Sequence, residues 1–586
     1  MVWSLLWVFG GREIGLLEIQ ALIDPYGFYL RDWVDSSNCC LLKNCKVLNW
    51  NFTGLLVAWE NEGWCELKNL KQLDLSGNNF GGSLPDCLGN LSSLQLLDVS
   101  KNQFTGNIAS SPLTNLISLK FLSLSNNLFE VSTSMKPFMN HSSLKFFSSE
   151  NNRLCGNNFW GQISDFSLYG GKAWIILDLS NNQFSGMLPR WFVNSTHLSA
   201  IDMSKNHFRG SIPRDFCKLD QLEYLDLSKN SLSGYIPSCF NPPSLTHLHL
   251  SKNRLSGPLT YGFYNNSSLV TMDLRDNSFI GSIPNWIGNL SSLSVLLLRA
   301  NHFDGELRIQ LCLLEQLSIL DVSQNQLSGP LPSCLGNLTF KESSQKTFTN
   351  LTIVYSLVKD FSPNITEVIE FTTKNMYYGY KGKFLSYMSG IDLSNNNFIG
   401  AIPPEFGNLS EILSLNLSHN NLTGSIPATF SNLKHIESLD LSNNNLNGAI
   451  PPQLTEVTTL EVFSVAHNNL SGRTPERKYQ FGTFDESCYE ENPFLCGPPL
   501  QNNCSKEAVL SQPVPNDEQG DDGFIDMEFF YISFGVCYTV VVMTIAAVLY
   551  INPYWRRRWL YFIEDCIDAC YYFVVASFRK FSNFRR

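Results

Sequence analysis

One phrase recurs through most of the chain and decides what it can fold into. LDLSGNNFGGSLP from Leu73, LDLSNNQFSGMLP from Leu177, LDLSKNSLSGYIP from Leu225 and LDLSNNNLNGAIP from Leu439 are variants of it. The asparagine of L-x-L-x-x-N falls at positions 78, 102, 127, 152, 182, 206, 230, 253, 277, 301 and 325, then at 396, 420, 444 and 468, most steps being 24 residues. A degenerate extra coil is suggested by NFTGLL at Asn51. A unit this short cannot bury its apolar side alone, so the chain must stack coil on coil into a solenoid.

Each part of the phrase has a task. In L-x-L the leucines alternate with outward residues, so a short strand turns its apolar side into the solenoid and its variable side onto a concave sheet. Asparagine donates and accepts at once, which lets a stacked column of them satisfy backbone groups where each coil turns; a buried aspartate cannot donate there. The glycine of F-x-G-x-I-P permits a tight turn, and the proline fixes φ while giving up a donor. With strands about 4.8 Å apart, the coils make an arc on the order of 70 Å, a large surface with no cleft of its own.

Composition excludes several function classes. The net charge is −11 over 586 residues, and no basic stripe marks a nucleic-acid partner. No G-x-x-x-x-G-K-[ST], no H-E-x-x-H and no kinase signature occurs. The chain reads as non-enzymatic, without cofactor or metal.

The C-terminal end reads as membrane-anchored. Residues 529–551 form an uncharged run of 23, long enough to cross about 30 Å of hydrocarbon. No Lys or Arg occurs between 507 and 555, and Arg556, Arg557 and Arg558 follow at once, which puts the N-terminal bulk outside and the tail in the cytosol. Residues 507–528 make an acidic spacer, and 552–586 a basic, aromatic tail suited to an anionic leaflet. Residues 1–11 make a poor secretory signal, read as marginal or as the start of a shortened N-terminal region.

The cysteines follow the repeat. Cys65 and Cys87, Cys217 and Cys239, and Cys312 and Cys334 are each 22 apart at the same register, which predicts three disulfides clipping adjacent coils on the convex side. Thirteen cysteines fall outside the membrane by this topology and cannot all pair internally. Between Asn325 and Asn396 the step is 71 rather than 24. The extra residues are rich in aromatics, with Phe371, Tyr377, Tyr378, Tyr380, Phe384 and Tyr387 among them, which reads as an ordered insert over 339–387.

The form L-x-x-L-x-x-L-x-L-x-x-N-x-L-x-G-x-I-P resembles the plant extracellular leucine-rich repeats. The order of coils, insert, four coils, acidic spacer, single span and short tail resembles the plant receptor-like proteins, which have the ectodomain of a receptor kinase but no kinase. The resemblance implies an α/β solenoid: a curved leucine-rich-repeat superhelix with one island insert, followed by one transmembrane helix. It assigns 12–65 to an atypical N-terminal cap, 66–338 to about eleven repeats, 388–475 to four more and 476–506 to a C-terminal cap in which Cys496 pairs with Cys504. It implies a single-pass plasma-membrane receptor with an extracellular peptide or protein ligand, an adaptor receptor kinase and a co-receptor kinase, most often in defence. An inhibitor or decoy without output, or a developmental receptor, is the alternative. In that family the island and the four following coils help form the ligand and co-receptor surface.

Candidate ligand residues stand where the repeat departs from its norm. Arg275 and Arg299 replace the usual serine in adjacent coils, with His247, His249 and Asp273 beside them. This cationic ladder suits either a ligand carboxylate, which Arg forks bind well, or internal pairing with Asp273 and its neighbours. On the island, Tyr377, Tyr378, Tyr380 and Lys381 offer aromatic and cationic contacts, to a ligand or to the concave sheet. Fifteen N-x-S/T sequons mark potential glycans, at Asn51, Asn90, Asn140, Asn194, Asn265, Asn266, Asn289, Asn337, Asn350, Asn364, Asn408, Asn416, Asn421, Asn469 and Asn503. Several share one convex register, which leaves the concave face freer for a partner.

Overall fold

The computed structural model describes residues 47–49, 68–130, 141–152, 161–162, 175–190, 197–338, 351–352, 364–365, 367–374 and 376–504. The signal segment, most of the N-terminal cap with Cys65, the acidic spacer, the predicted span and the tail lie outside these residues. Among the described residues no helix is long and apolar enough to cross a membrane.

The L-x-L segments form one parallel concave sheet of 16 strands, from Val47–Asn49 to Val462–Ser464. The first strand is the extra coil, with Val47 opposite Gln72. The sheet runs on across the 71-residue step, since Leu320 lies opposite Ile391 and Asp321 opposite Asp392. The island therefore leaves and returns without breaking the stack. Leu73, Leu97, Leu225, Leu320 and Leu415 are among the inward residues that are fully buried, each contributing roughly 1.5–3 kcal/mol when removed from water.

The asparagines form a continuous ladder. Asn301 is typical: its Nδ2 donates to Leu274 O, Leu298 O and Arg299 O at 3.0–3.2 Å, while its Oδ1 accepts from Phe279 N–H at 3.0 Å. Each such residue thus ties its own turn to the coil before it. The ladder extends one step beyond the last recognisable phrase, where Asn492 in the C-terminal cap donates to Val465 O and accepts from Leu470 N–H.

Two features differ from the expected α/β architecture. The convex side is made of 3-10 turns such as Arg214–Lys218, Ser333–Asn337 and Pro404–Asn408, and the α-helix among the described residues is the five-residue Lys383–Tyr387 of the island. Proline starts many of these turns, with Pro213, Pro332 and Pro403 at the N-cap, and coils this close leave no room for a wider helix. Second, the F-x-G segments form another parallel sheet of 13 strands, from Gly161–Gln162 to Phe494–Cys496, with a separate three-stranded one near the start. The glycine of that segment lies in the strand itself with positive φ, as at Gly305 (75°) in His302–Glu306 and Gly329 (81°) in Gln326–Pro330, and so does more than turn. Phenylalanines stack beneath this sheet, Phe80 on Phe104 and Phe104 on Phe129 at 6.1 Å.

Disulfides join Cys217 to Cys239 and Cys312 to Cys334 between adjacent convex turns, with Cα separations of 5.5 and 5.8 Å. Cys496 bonds Cys504 in the cap. Cys87 is also disulfide-bonded, and its expected partner Cys65 lies outside the described residues.

Candidate functional site

The island sends a hairpin onto the concave face. Val368–Thr373 pairs antiparallel with Met376–Lys381, Phe371 standing opposite Tyr378. Alternation along the first strand turns Ile369 and Phe371 down, where both are fully buried with Leu385 and Met388 against Val295, Leu297 and Ile319. Leu297 stands where most repeats carry aspartate, and Val295 and Ile319 stand at the concave position that Leu96, Phe121 and Ile176 also fill with apolar side chains. Phe371 reaches the sheet over Gly390, where even a methyl group would come within 2.5 Å of its ring.

Charge then fixes the hairpin at both ends. Glu370 meets Lys229 at 3.1 Å and Lys252 at 2.8 Å. Burial works against its ionised form, and the two lysines outweigh it, holding the carboxyl at about 2. At the tip Lys374, with φ of 52°, reaches Glu437 at 2.9 Å and Glu461 at 2.7 Å. Four residues of hairpin thus link the coils of Asn230 and Asn253 to those of Asn444 and Asn468 across the arc.

Between these ends lies the predicted cationic ladder, and the island itself closes it. Arg275 is 2% exposed, and its fork donates to Asp273 through Nε and Nη2 at 2.7 Å each. Its Nη1 donates to the Glu370 carbonyl and, at 2.5 Å, to the Tyr377 hydroxyl. Arg299 lies over the Tyr377 ring at 4.9 Å. Glu367 enters between His247 and His249, with N–O distances of 3.5 and 3.3 Å. Burial disfavours a charge on His249, but Asp273 and Glu367 more than compensate and raise it to about 10; burial pulls His247 down. Of the two readings of the ladder, the structure gives internal pairing. The carboxylates at the ladder are the chain's own, Asp273 of the repeat on the Arg275 fork and Glu367 of the island on the histidines, and His247, His249, Asp273 and Arg275 are buried beneath the hairpin.

One pair of acids under the same region is left under tension. Asp321 and Asp392 stand one coil apart, both buried. Burial first, and then the Asp321 charge, push Asp392 up to about 7. A carboxyl raised in the folded state from about 4 contributes stability that is present below pH 4 and lost as pH rises through 7. We expect the urea midpoint of this unit to fall between pH 5 and pH 8, and the fall to be smaller in Asp392→Asn, by up to a few kcal/mol in all. An unchanged slope in the variant would count against the coupling.

The outer side of the island is open. Met376, Tyr378, Phe384 and Tyr387 are exposed, Phe384 at 77% and Tyr387 at 69%. Tyr378, Phe384 and Tyr387, with Tyr380, Lys381, Met388 and Leu413, border a cavity of about 460 Å³ between the hairpin and the coils after the island. Tyr378 donates to Met376 Sδ at 3.2 Å, and Tyr380 shares a 2.5 Å hydrogen bond with Thr373. Tyr378, Tyr380 and Lys381 are therefore brought together on a surface, whereas Tyr377 is shared with the ladder beneath. Sequence reasoning left docking on the concave sheet as one of two readings, although Leu297, where the phrase usually has aspartate, breaks the in-out alternation and signals that something covers the sheet there.

The sequons divide as well. Asn90, Asn289, Asn337 and Asn408 each end a convex 3-10 turn and are exposed, as are Asn265, Asn421, Asn469 and Asn503. Asn266 is 1% exposed and donates its amide to Pro242 O at 3.0 Å, so it cannot carry a glycan in this fold. Asn416 is half-buried on a concave strand. The sequons at Asn51, Asn140, Asn194 and Asn350, and the side chain of Asn364, lie outside the described residues.

Comparison with known proteins finds the same kind of repeat. The leucine-rich-repeat family models match residues 175–232, 243–303 and 387–446, and 69–91 with 316–338. Cuscuta receptor 1 of Solanum lycopersicum is 59% identical over 224 residues, 38% of this chain and 20% of that one. Receptor-like protein 1 of Arabidopsis thaliana is 52% identical over 225 residues, 37% and 21% of the two chains. The match thus spans about a fifth of the length of these relatives, which are receptors by name and not enzymes. Among solved structures, the ectodomain of the Arabidopsis thaliana receptor kinase GASSHO1/SCHENGEN3, in complex with CASPARIAN STRIP INTEGRITY FACTOR 2, superposes with a TM-score of 0.63 at 29% identity, covering 78% of this chain and 48% of that one. The Arabidopsis receptor kinase HAESA, with the peptide hormone IDA and the co-receptor SERK1, gives 0.57 at 26% identity over 77% and 74%.

Proposed function

We propose that this chain, whose leucine-rich repeats are those of the plant receptor-like proteins, is a single-pass receptor of the plasma membrane. It holds its repeats outside, binds an extracellular peptide or protein and signals through partner receptor kinases, in defence before development. The observation that carries the reading is the open aromatic face of the island beside the last four coils. Exposed aromatic side chains on a rigid support are what binding hot spots are made of. The hairpin is held by the buried Ile369 and Phe371 and by ion pairs at Glu370 and Lys374, so that face is presented with little ordering cost. The relatives that bind a peptide hormone and a co-receptor together support the same division of labour.

Co-precipitation from plant membranes tests it. A receptor kinase should be recovered with the chain, and more of it after treatment with an active extracellular fraction. Phe384→Ala with Tyr387→Ala should reduce that gain at least tenfold while leaving secretion intact. A chain that bound the ligand but never a kinase would be a decoy, and the signalling reading would fall.

A further inference from the structure

The concave position after the first leucine of each phrase is most often aspartate: Asp74, Asp98, Asp178, Asp202, Asp226, Asp273, Asp321, Asp392 and Asp440. Asn49 of the first strand and Asn416 of the Leu415 coil carry asparagine there, and only Asn416 lies in a sequon, NLS. The aspartate has a fixed task, accepting from the serine two residues on, as Asp392 Oδ1 does from Ser394 N–H at 3.0 Å and Ser394 Oγ–H at 2.6 Å. Asn416 does the same with its Oδ1, from Ser418 N–H at 3.1 Å and Oγ–H at 2.8 Å. That leaves its amide nitrogen over. Among the described residues Nδ2 donates to nothing, yet it is not one of the buried atoms without a partner, so it faces solvent. Asn266, whose nitrogen is buried and bonded, is the opposite case.

We infer that Asn416 is N-glycosylated, which puts one oligosaccharide on the concave face. The amide nitrogen bonds the anomeric carbon of a lipid-linked oligosaccharide; the bond from that carbon to the pyrophosphate breaks, and the pyrophosphate leaves with the electron pair and takes up the amide proton. The carbonyl oxygen keeps both serine contacts, so the strand need not change. Asn416 lies opposite Asp392 and Asp440 in the sheet. A sugar there occupies the concave strip of the last four coils, leaving a partner the island's aromatic side.

The inference rests on the extracellular placement proposed above, and glycopeptide mass spectrometry of the full chain from plant membranes separates the two. Sugar is expected on Asn416, Asn265 and the convex Asn289 and Asn337, and none on Asn266. Bare Asn289, Asn337 and Asn416 together would overturn the placement. Occupied convex sites with bare Asn416 would overturn the inference alone. As a second readout, Asn416→Gln should shift the chain by one glycan on a gel, and Ser418→Ala should give the same shift; no shift in either would also overturn it.

Discussion

Arg275→Ala should lower the stability of the repeat unit by roughly 3–5 kcal/mol, the cost of leaving a buried charge without its partner. The side chain makes two contacts to Asp273, one to the Glu370 carbonyl and one to Tyr377. Without it, Asp273 keeps the backbone N–H of residue 275 at 3.3 Å and His249, 3.9 Å away, and the Asp273 carboxyl loses the attraction that outweighs its burial and holds it well below the usual range. The hairpin loses its central anchor as well. Urea unfolding should therefore show the loss, and limited proteolysis should find the island cut under conditions where the wild-type island is spared. Arg275→Lys should rescue little, because an ammonium cannot serve the carboxylate fork, the carbonyl and the hydroxyl at once. An unchanged midpoint with an unchanged digest would mean that the island is held by its apolar side alone.

Asn396→Asp should be comparably severe. Asn396 belongs to the first coil after the island, and its Nδ2 donates to Val322 O of the coil before the island at 3.0 Å and to Leu393 O and Ser394 O at 3.2 and 3.1 Å. A carboxylate would turn those three donations into repulsions inside the solenoid, where each unsatisfied group costs about 1–3 kcal/mol. The loss at neutral pH should exceed about 3 kcal/mol and shrink in acid, since the new carboxyl must protonate to fit. Asn397→Asp is the control: the neighbouring side chain is exposed and the change should stay within about 0.5 kcal/mol. If both variants unfold alike, the ladder does not hold the two halves together.

The solenoid was legible because its physics is periodic. L-x-L sets the concave strand, and asparagine is the small side chain that donates to three carbonyls and accepts one N–H; the cysteine register carried the clips for the same reason. What repeats weakly was harder to read. The second sheet rests on two- to five-residue segments, most with a glycine in them, too short to stand out from turns. Asn492 keeps the 24-residue step from Asn468, but SCYEEN has no leucines to mark it. The ladder at Arg275 and Arg299 was visible as a departure from serine, yet its partner lay about a hundred residues on. A charge column shows that something acidic binds there; whether that is a ligand or the chain's own Glu367 and Glu370 depends on the fold. Leu297, where most repeats carry aspartate, was the one local sign that the sheet is covered there.

That the concave ladder is structural and the island's outer face is the recognition surface can be put to one measurement. A chimera carrying the repeats and island on a reporter kinase would be challenged with extracellular peptide fractions, comparing wild type with Tyr378→Ala, Phe384→Ala and Tyr387→Ala combined. The predicted result is a lost response in the variant with an unaltered urea midpoint. A full response from the variant, abolished instead by substitutions at concave residues outside the island, would contradict it.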